Sequence, residues 1–194
     1  VGVASDEDSA RERILLAAEE LFAESGFDAT PTSRIAERAG VPKGLVHYYF
    51  RRKPDLLEAL VERLPDERVE PGRVVVPGDI AGSLRRLVAE LDIRLSASRM
   101  LSHLLWREAD THHAVRDALH ERFRSLVRQV RAVIVAAGGP LLATADVDSA
   151  SGLLARSMSY RHSVARHGGP EAIAADGELE RELTFIAAAL TTRS

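Results

Sequence analysis

Between Arg34 and Lys53 the chain gathers six basic side chains, Arg34, Arg38, Lys43, Arg51, Arg52 and Lys53, against one acid, Glu37. The same stretch holds His47, Tyr48 and Tyr49, which can donate hydrogen bonds to base edges or phosphates. Val46 and Phe50 are four apart, so on a helix they share one face and can anchor it. Lys43, Gly44, Leu45, His47 and Tyr48 are then left pointing outward or sideways. These residue types suit a duplex. Lys43 reaches a guanine edge or a phosphate, Gly44 lets the backbone approach closely, and Leu45 packs on a thymine methyl. A local basic patch on a chain of net charge −3 points to a polyanion touched by one small surface.

The elements that must hold this segment are legible as helices. Ser9 and Glu12 have the spacing of a capping box before an apolar stripe of Ile14, Ala18, Leu21 and Phe22, and Gly26 is a natural terminator. A short second helix is expected from Thr32, read as its N-cap, with Ile35, Ala36 and Ala39 facing inward. Gly40 makes a turn, and a third helix starts near Pro42, where a fixed φ suits a first turn. Two short helices joined by a tight glycine turn make a helix-turn-helix, whose second helix enters the major groove. A fourth helix starts at Pro54. Pro65–Gly78, with three prolines and two glycines, reads as a linker or long loop. Beyond it lie a helix capped by Asp79, a shorter one over Arg99–Glu108, and a long one from near Thr111 to Gly138. Two more follow, from near Asp146 to Gly168 and from near Asp176 to the end. Strand-like alternation is scarce. The expected fold is all-α with about nine helices: a three-helix helix-turn-helix domain and a larger helical domain. The expected divisions are an acidic, disordered tail at 1–8, a DNA-binding domain at 9–56, and a helical domain at 57–194.

Composition narrows the chemistry. The chain of 194 residues has no cysteine, which removes disulfides, thiolate zinc sites and cysteine nucleophiles. There is no His-Glu-x-x-His run, no nucleophile elbow and no glycine-rich phosphate loop. His112 and His113 are adjacent, about 100° apart on a helix, and cannot easily share a metal. The competing reading, a helical enzyme or metal protein built on His103, Glu108, His112 and His113, therefore has little support. No catalytic residue, metal or cofactor is expected. No apolar run approaches the roughly 20 residues of a membrane span, and a cytoplasmic location is expected.

Ile14–Leu57 also resembles the DNA-binding domain of the TetR (tetracycline-repressor) family. The resemblance is carried by Ile14–Ala18, Leu21–Thr30, Ile35–Val41, Lys43-Gly44, His47–Phe50 and Lys53, about a quarter of the chain, in order and at the right spacing. It implies that Thr32, Lys43, Gly44, Leu45, His47, Tyr48, Tyr49 and Lys53 lie at the interface with DNA. Pro42 stands where the family usually has serine or threonine, Leu45 replaces a smaller or polar residue, and His47 stands where tyrosine is common. These departures bear on which DNA sequence is read. The resemblance further implies a homodimer on a palindromic operator and a small-molecule effector that releases it. The helices near 146–168 and 176–192 are the expected dimer elements. Helix nine offers Leu183, Phe185, Ile186, Ala187, Ala188, Ala189 and Leu190, and helix eight the small residues Ala150, Ser151, Gly152, Ala155 and Ser157. The expected effector pocket is lined by Met100, His103, Leu104, Trp106, Phe123, Met158 and His162.

Overall fold

The computed structural model describes residues 3–96, 98–142, 146–164 and 171–191. Among these, ten α-helices and one 3₁₀ turn account for all regular structure. They are α1 (Val3–Ser25), α2 (Thr32–Ala39), α3 (Lys43–Tyr49), α4 (Lys53–Glu62), α5 (Pro71–Val74), α6 (Ile80–Ser96), α7 (Arg99–Glu108), α8 (His113–Gly138), α9 (Val147–Val164) and α10 (Glu171–Thr191), with the 3₁₀ turn at Gly139–Leu142. The helix beyond the expected nine is α5, a single turn inside the proline-rich segment.

Two compact units divide the chain. One comprises Val1–Leu64 with Met100–Leu119, the other Pro65–Arg99 with His120–Ser194. The first unit thus takes all of α4, α7 from Met100 onward and the opening turns of α8 in addition to the helix-turn-helix. Its core is built on Ile14, Leu15, Leu21, Phe22, Ile35, Val46, Leu56, Leu57 and Leu60, joined by Leu101, Leu104 and Leu105 of α7. These are the apolar stripes that helical spacing marks out, each facing the others and removed from water.

Helix ends follow local chemistry, with corrections to the sequence reading. α1 runs back to Val3, so Ser9 lies inside a helix and no capping box forms there; most of the acidic segment 1–8 is helical backbone. Glu12 is occupied instead by an ion pair with Arg63. Pro31, not Thr32, is the N-cap of α2, and Thr32 is its first helical residue. Gly40 ends α2 in the left-handed region, φ 64°, which glycine enters without a Cβ penalty. Asp79 caps α6 by accepting the Gly82 N–H at 2.8 Å, and Asp146 caps α9 by accepting that of Ser149 at 2.9 Å.

The second unit packs α6, α8, α9 and α10 around Leu84, Leu87, Leu91, Val130, Ile134, Leu154, Met158 and Leu183. The segment after α4 is no free linker. Arg122 donates to the Pro65 carbonyl at 2.6 Å and to Glu67 at 2.8 Å. Arg94 donates to the Arg68 carbonyl at 2.7 Å, and the Gln129 Oε1 accepts the Val69 N–H at 2.8 Å. Side chains of α6 and α8 therefore satisfy the backbone of an irregular stretch that would otherwise rely on water.

Candidate nucleic-acid interface

The geometry of α3 is set by what it buries. Val46 has no exposed surface and Phe50 is nearly buried, both within the first unit's core. Because they sit one helical turn apart, the opposite side of α3 must face solvent. Lys43, Gly44, His47 and Tyr48 are exposed, and the Tyr48 ring is 70% accessible. Leu45 and Tyr49 are half-buried, Tyr49 packing against the core, with the two tyrosine rings edge to face at 5.1 Å. Thr32 is half-buried at the start of α2. The turn between the helices is closed by the Val41 N–H donating to the Ala36 carbonyl at 3.0 Å.

Charge is arranged to match. Neither α2 nor α3 has an acid in its first turn or a side-chain cap. Lys43 opens α3, where the helix dipole alone would disfavour a cation. Arg34 and Arg38 are turned back on α1, Arg34 to Ser25 at 3.1 Å and Arg38 to Glu20 at 2.9 Å. The carboxylate bonds of Arg38 push its pKa up. Arg51 and Arg52 stay exposed beside the C-terminal end of α3, Arg52 pairing with Asp55 at 3.0 Å. They belong to the basic run but fall outside the family pattern, and the charge pattern alone marks them as candidate phosphate contacts.

Lys53 behaves differently from the other site residues. Its ammonium donates to the carbonyls of Phe27 and Asp28 and lies 4.3 Å above the Phe27 ring. Burial pushes its pKa down despite the attraction of Asp28 and Glu108. It is a strut for the loop between α1 and α2 first, and only its remaining N–H faces outward chemistry. The Phe27 ring is also met edge-on by His112 at 4.6 Å, and Arg107 of α7 donates to the Phe22 carbonyl at 3.1 Å. Sequence spacing gives no signal for either contact, since each joins residues 85 apart.

The residues of the expected effector pocket lie in different surroundings. Met100, His103, Leu104 and Trp106 belong to the first unit, Phe123 and Met158 to the second. The Met100 side chain is 63% exposed, and His103 and Trp106 also lie at the surface. Leu104 and Met158 are spent in their units' cores, and Phe123 packs against the second core. The His162 side chain lies outside the described residues. Helical spacing identifies apolar faces without telling core from cavity wall, and here core and surface claim the six described. Among the described residues no group of three or more His, Asp or Glu side chains could hold a metal ion. No helix searched is long and apolar enough to cross a membrane.

Residues 14–60, which carry all of this interface except its supports Arg107 and His112, match the model of the bacterial regulatory proteins of the tetR family. Over these residues the chain resembles the tetR family. The chain is 38% identical over 61 residues to the HTH-type transcriptional repressor BepR of Brucella suis biovar 1 (strain 1330), covering 30% of this chain and 29% of that protein. It is 31% identical over 84 residues to the HTH-type transcriptional regulator TtgR of Pseudomonas putida, covering 42% and 40%. The matched stretch thus spans less than half the length of these curated relatives. The fold likeness extends much further. SmeT in its complex with triclosan superposes with a TM-score of 0.72 at 24% identity, over 95% of this chain and 93% of that one. NalD, the secondary repressor of an efflux pump in Pseudomonas aeruginosa, gives 0.69 at 19% identity over 97% and 100%. The likeness of fold thus extends over the helices that follow the matched stretch.

Proposed function

We propose that the chain is a sequence-specific DNA-binding regulator, not an enzyme, that represses transcription as a homodimer in the cytoplasm and is released by a small molecule. The observation that carries this reading is the two-sidedness of α3: Val46 and Phe50 lock it to the core while Lys43, Gly44, His47 and Tyr48 stand exposed. Lys43, Tyr48 and Tyr49 would meet phosphates and base edges, with Thr32 at the groove wall and Leu45 against a thymine methyl. Lys53 serves mainly to hold the loop that positions α2.

One short helix reads one half-site weakly, and two copies on a two-fold axis read a palindrome whose halves lie about 34 Å apart. The dimer face is proposed on α9 and α10. Leu183, Ile186 and Leu190, with Ala150, Ser151 and Ala155, are consumed inside the chain's own fold. What remains is a narrower apolar surface of Leu153 and Tyr160 on α9 and Phe185 on α10, the two rings 70% and 71% exposed. Ala188 and Ala189 are exposed beside Phe185, leaving room for a facing helix.

Fluorescence polarisation on the DNA upstream of the chain's own gene tests the proposal. Saturable binding at moderate salt, resistant to competitor DNA and with two protomers per site, is expected. Binding no tighter than to unrelated duplex overturns it.

A further inference from the structure

The second unit contains an open cleft of about 670 Å³, in the size range of small-molecule sites. Its walls are the segment 68–73, the end of α6 and the middle of α8. Four arginines line it, Arg68, Arg73, Arg94 and Arg128, against one acid, Glu70. On a chain that is net acidic, this local excess is against the average.

Not all of that charge is available. Arg94 is held by Glu90 at 2.7 Å and by the Arg68 carbonyl, so it builds the wall. Arg128 pairs with Glu121 at 2.8 Å and Arg68 loosely with Asp66 at 3.7 Å, both at exposed positions where ion pairs are weak and exchangeable. Arg73 differs. Among the described residues its guanidinium has no ion pair or hydrogen bond. Gln129 supplies the second unusual group. Its Oε1 accepts the Val69 N–H, which fixes the orientation of the amide, and its Nε2 is buried with no acceptor among the described residues. A buried donor without a partner is costly, and native folds rarely leave one. Both open groups, a guanidinium and an amide N–H, are donors. The chemistry they lack is an acceptor, and the surrounding arginines favour one that is charged.

We infer that this cleft binds a small organic anion, its carboxylate or phosphate taken by Arg73 and the Gln129 amide, and a compact apolar body lying against Val69, Ala132 and the arginine stems. Arg68 and Arg128 at exposed positions draw the anion in. That such an anion would also act as the effector rests on the function proposed above; binding itself does not.

The probes are phenyl phosphate and benzoate, with benzyl alcohol as the neutral match, titrated calorimetrically into the full chain. One saturable site per chain is expected for at least one anion, with the alcohol at least tenfold weaker; the two anions separate phosphate from carboxylate selectivity. Arg73→Ala breaks no ion pair or side-chain hydrogen bond among the described residues, so it should melt as the parent does while losing tenfold or more in affinity. Gln129→Glu keeps the acceptor for Val69, removes the donor and should bind anions still less. Lys43→Ala should bind them as the parent does. Absence of saturable binding, equal affinity in Arg73→Ala, or loss in Lys43→Ala instead would each overturn the inference. A fall in DNA affinity of anion-free Arg73→Ala would also do so, by making the cleft a nucleic-acid contact. Failure of DNA binding in the parent chain would bear on the proposed function and leave this titration readable.

Discussion

Gly44 offers a test in which stability and binding should move in opposite directions. It is the second residue of α3, its φ is not positive, and a Cβ built there meets no atom within 4 Å. Nothing inside the fold asks for glycine, yet glycine in a helix costs about 0.5–1 kcal/mol relative to alanine. The proposed reason lies outside the chain: a duplex backbone or base edge that must come close to the helix. Gly44→Ala should therefore stabilise the protein by that same 0.5–1 kcal/mol, or roughly 1–4 °C in Tm for a chain of this size. On DNA the added methyl displaces α3 in each half-site. At about 1 kcal/mol per half-site, the low end of the loss for one mismatched base pair, a dimer loses about 2 kcal/mol, close to 30-fold in Kd. Differential scanning calorimetry and polarisation on the operator measure the two effects. Gly26→Ala is the control, because Gly26 also has open space but sits at φ 84°, so strain should lower its Tm. If Gly44→Ala binds DNA as tightly as the parent, α3 does not approach the duplex as argued; if it melts lower, the packing of α3 has been misread.

Three further outcomes are expected. Lys43→Ala should leave Tm unchanged or slightly raised, since Lys43 is exposed at the unfavourable end of α3's dipole; the slope of log K against log salt should shrink by about 1.8, one phosphate contact per protomer. Phe185→Glu should leave the helical content intact, because the ring is solvent-facing within one chain, yet give monomers in sedimentation and lose operator binding; a persistent dimer would place the interface elsewhere. Asp146, whose pKa is held down by its bonds to Ser149, contributes stability in full above the ordinary carboxylate range and loses it as pH falls through the depressed value. Asp146→Ala should thus melt below the parent at neutral pH, and the gap should close in acid; a gap independent of pH would refute the cap.

The sequence made the helix-turn-helix and its two faces legible because both are local. A four-residue spacing decides which side of α3 carries Val46 and Phe50, and a single glycine at 40 decides the turn. Long-range partners were invisible. The Ser9–Glu12 pattern is a sound cap locally, but Arg63 takes Glu12 and α1 continues back to Val3. The prolines of Pro65–Gly78 correctly forbid one long helix, yet they say nothing of Arg94, Arg122 and Gln129, which tie that segment down from 26 to 60 residues away. The pocket residues meet the same limit: Leu104 and Met158 look like cavity wall until the cores that absorb them are assembled.

Lys53 shows how one side chain can answer to fold and to partner together. An ammonium has three N–H donors. Here two reach the Phe27 and Asp28 carbonyls near the start of the α1–α2 loop, and the cation stacks on the Phe27 ring. Burial lowers its pKa, so this geometry costs solvation that the carbonyls and ring must offset. The loop it clamps ends at Thr30, whose hydroxyl donates to the Gly26 carbonyl at 2.7 Å, and α2 begins two residues later. Holding that loop fixes where α2 starts and hence the angle at which α3 is presented. Lys53→Met should therefore lower stability, by about 1–3 kcal/mol if the freed carbonyls stay shielded from water, and weaken operator binding as well. Lys43→Ala should weaken binding alone. Melting curves and operator titrations on the two variants separate these roles. If Lys53→Met kept its Tm and lost only affinity, the ammonium would be a phosphate ligand and its inward bonds dispensable.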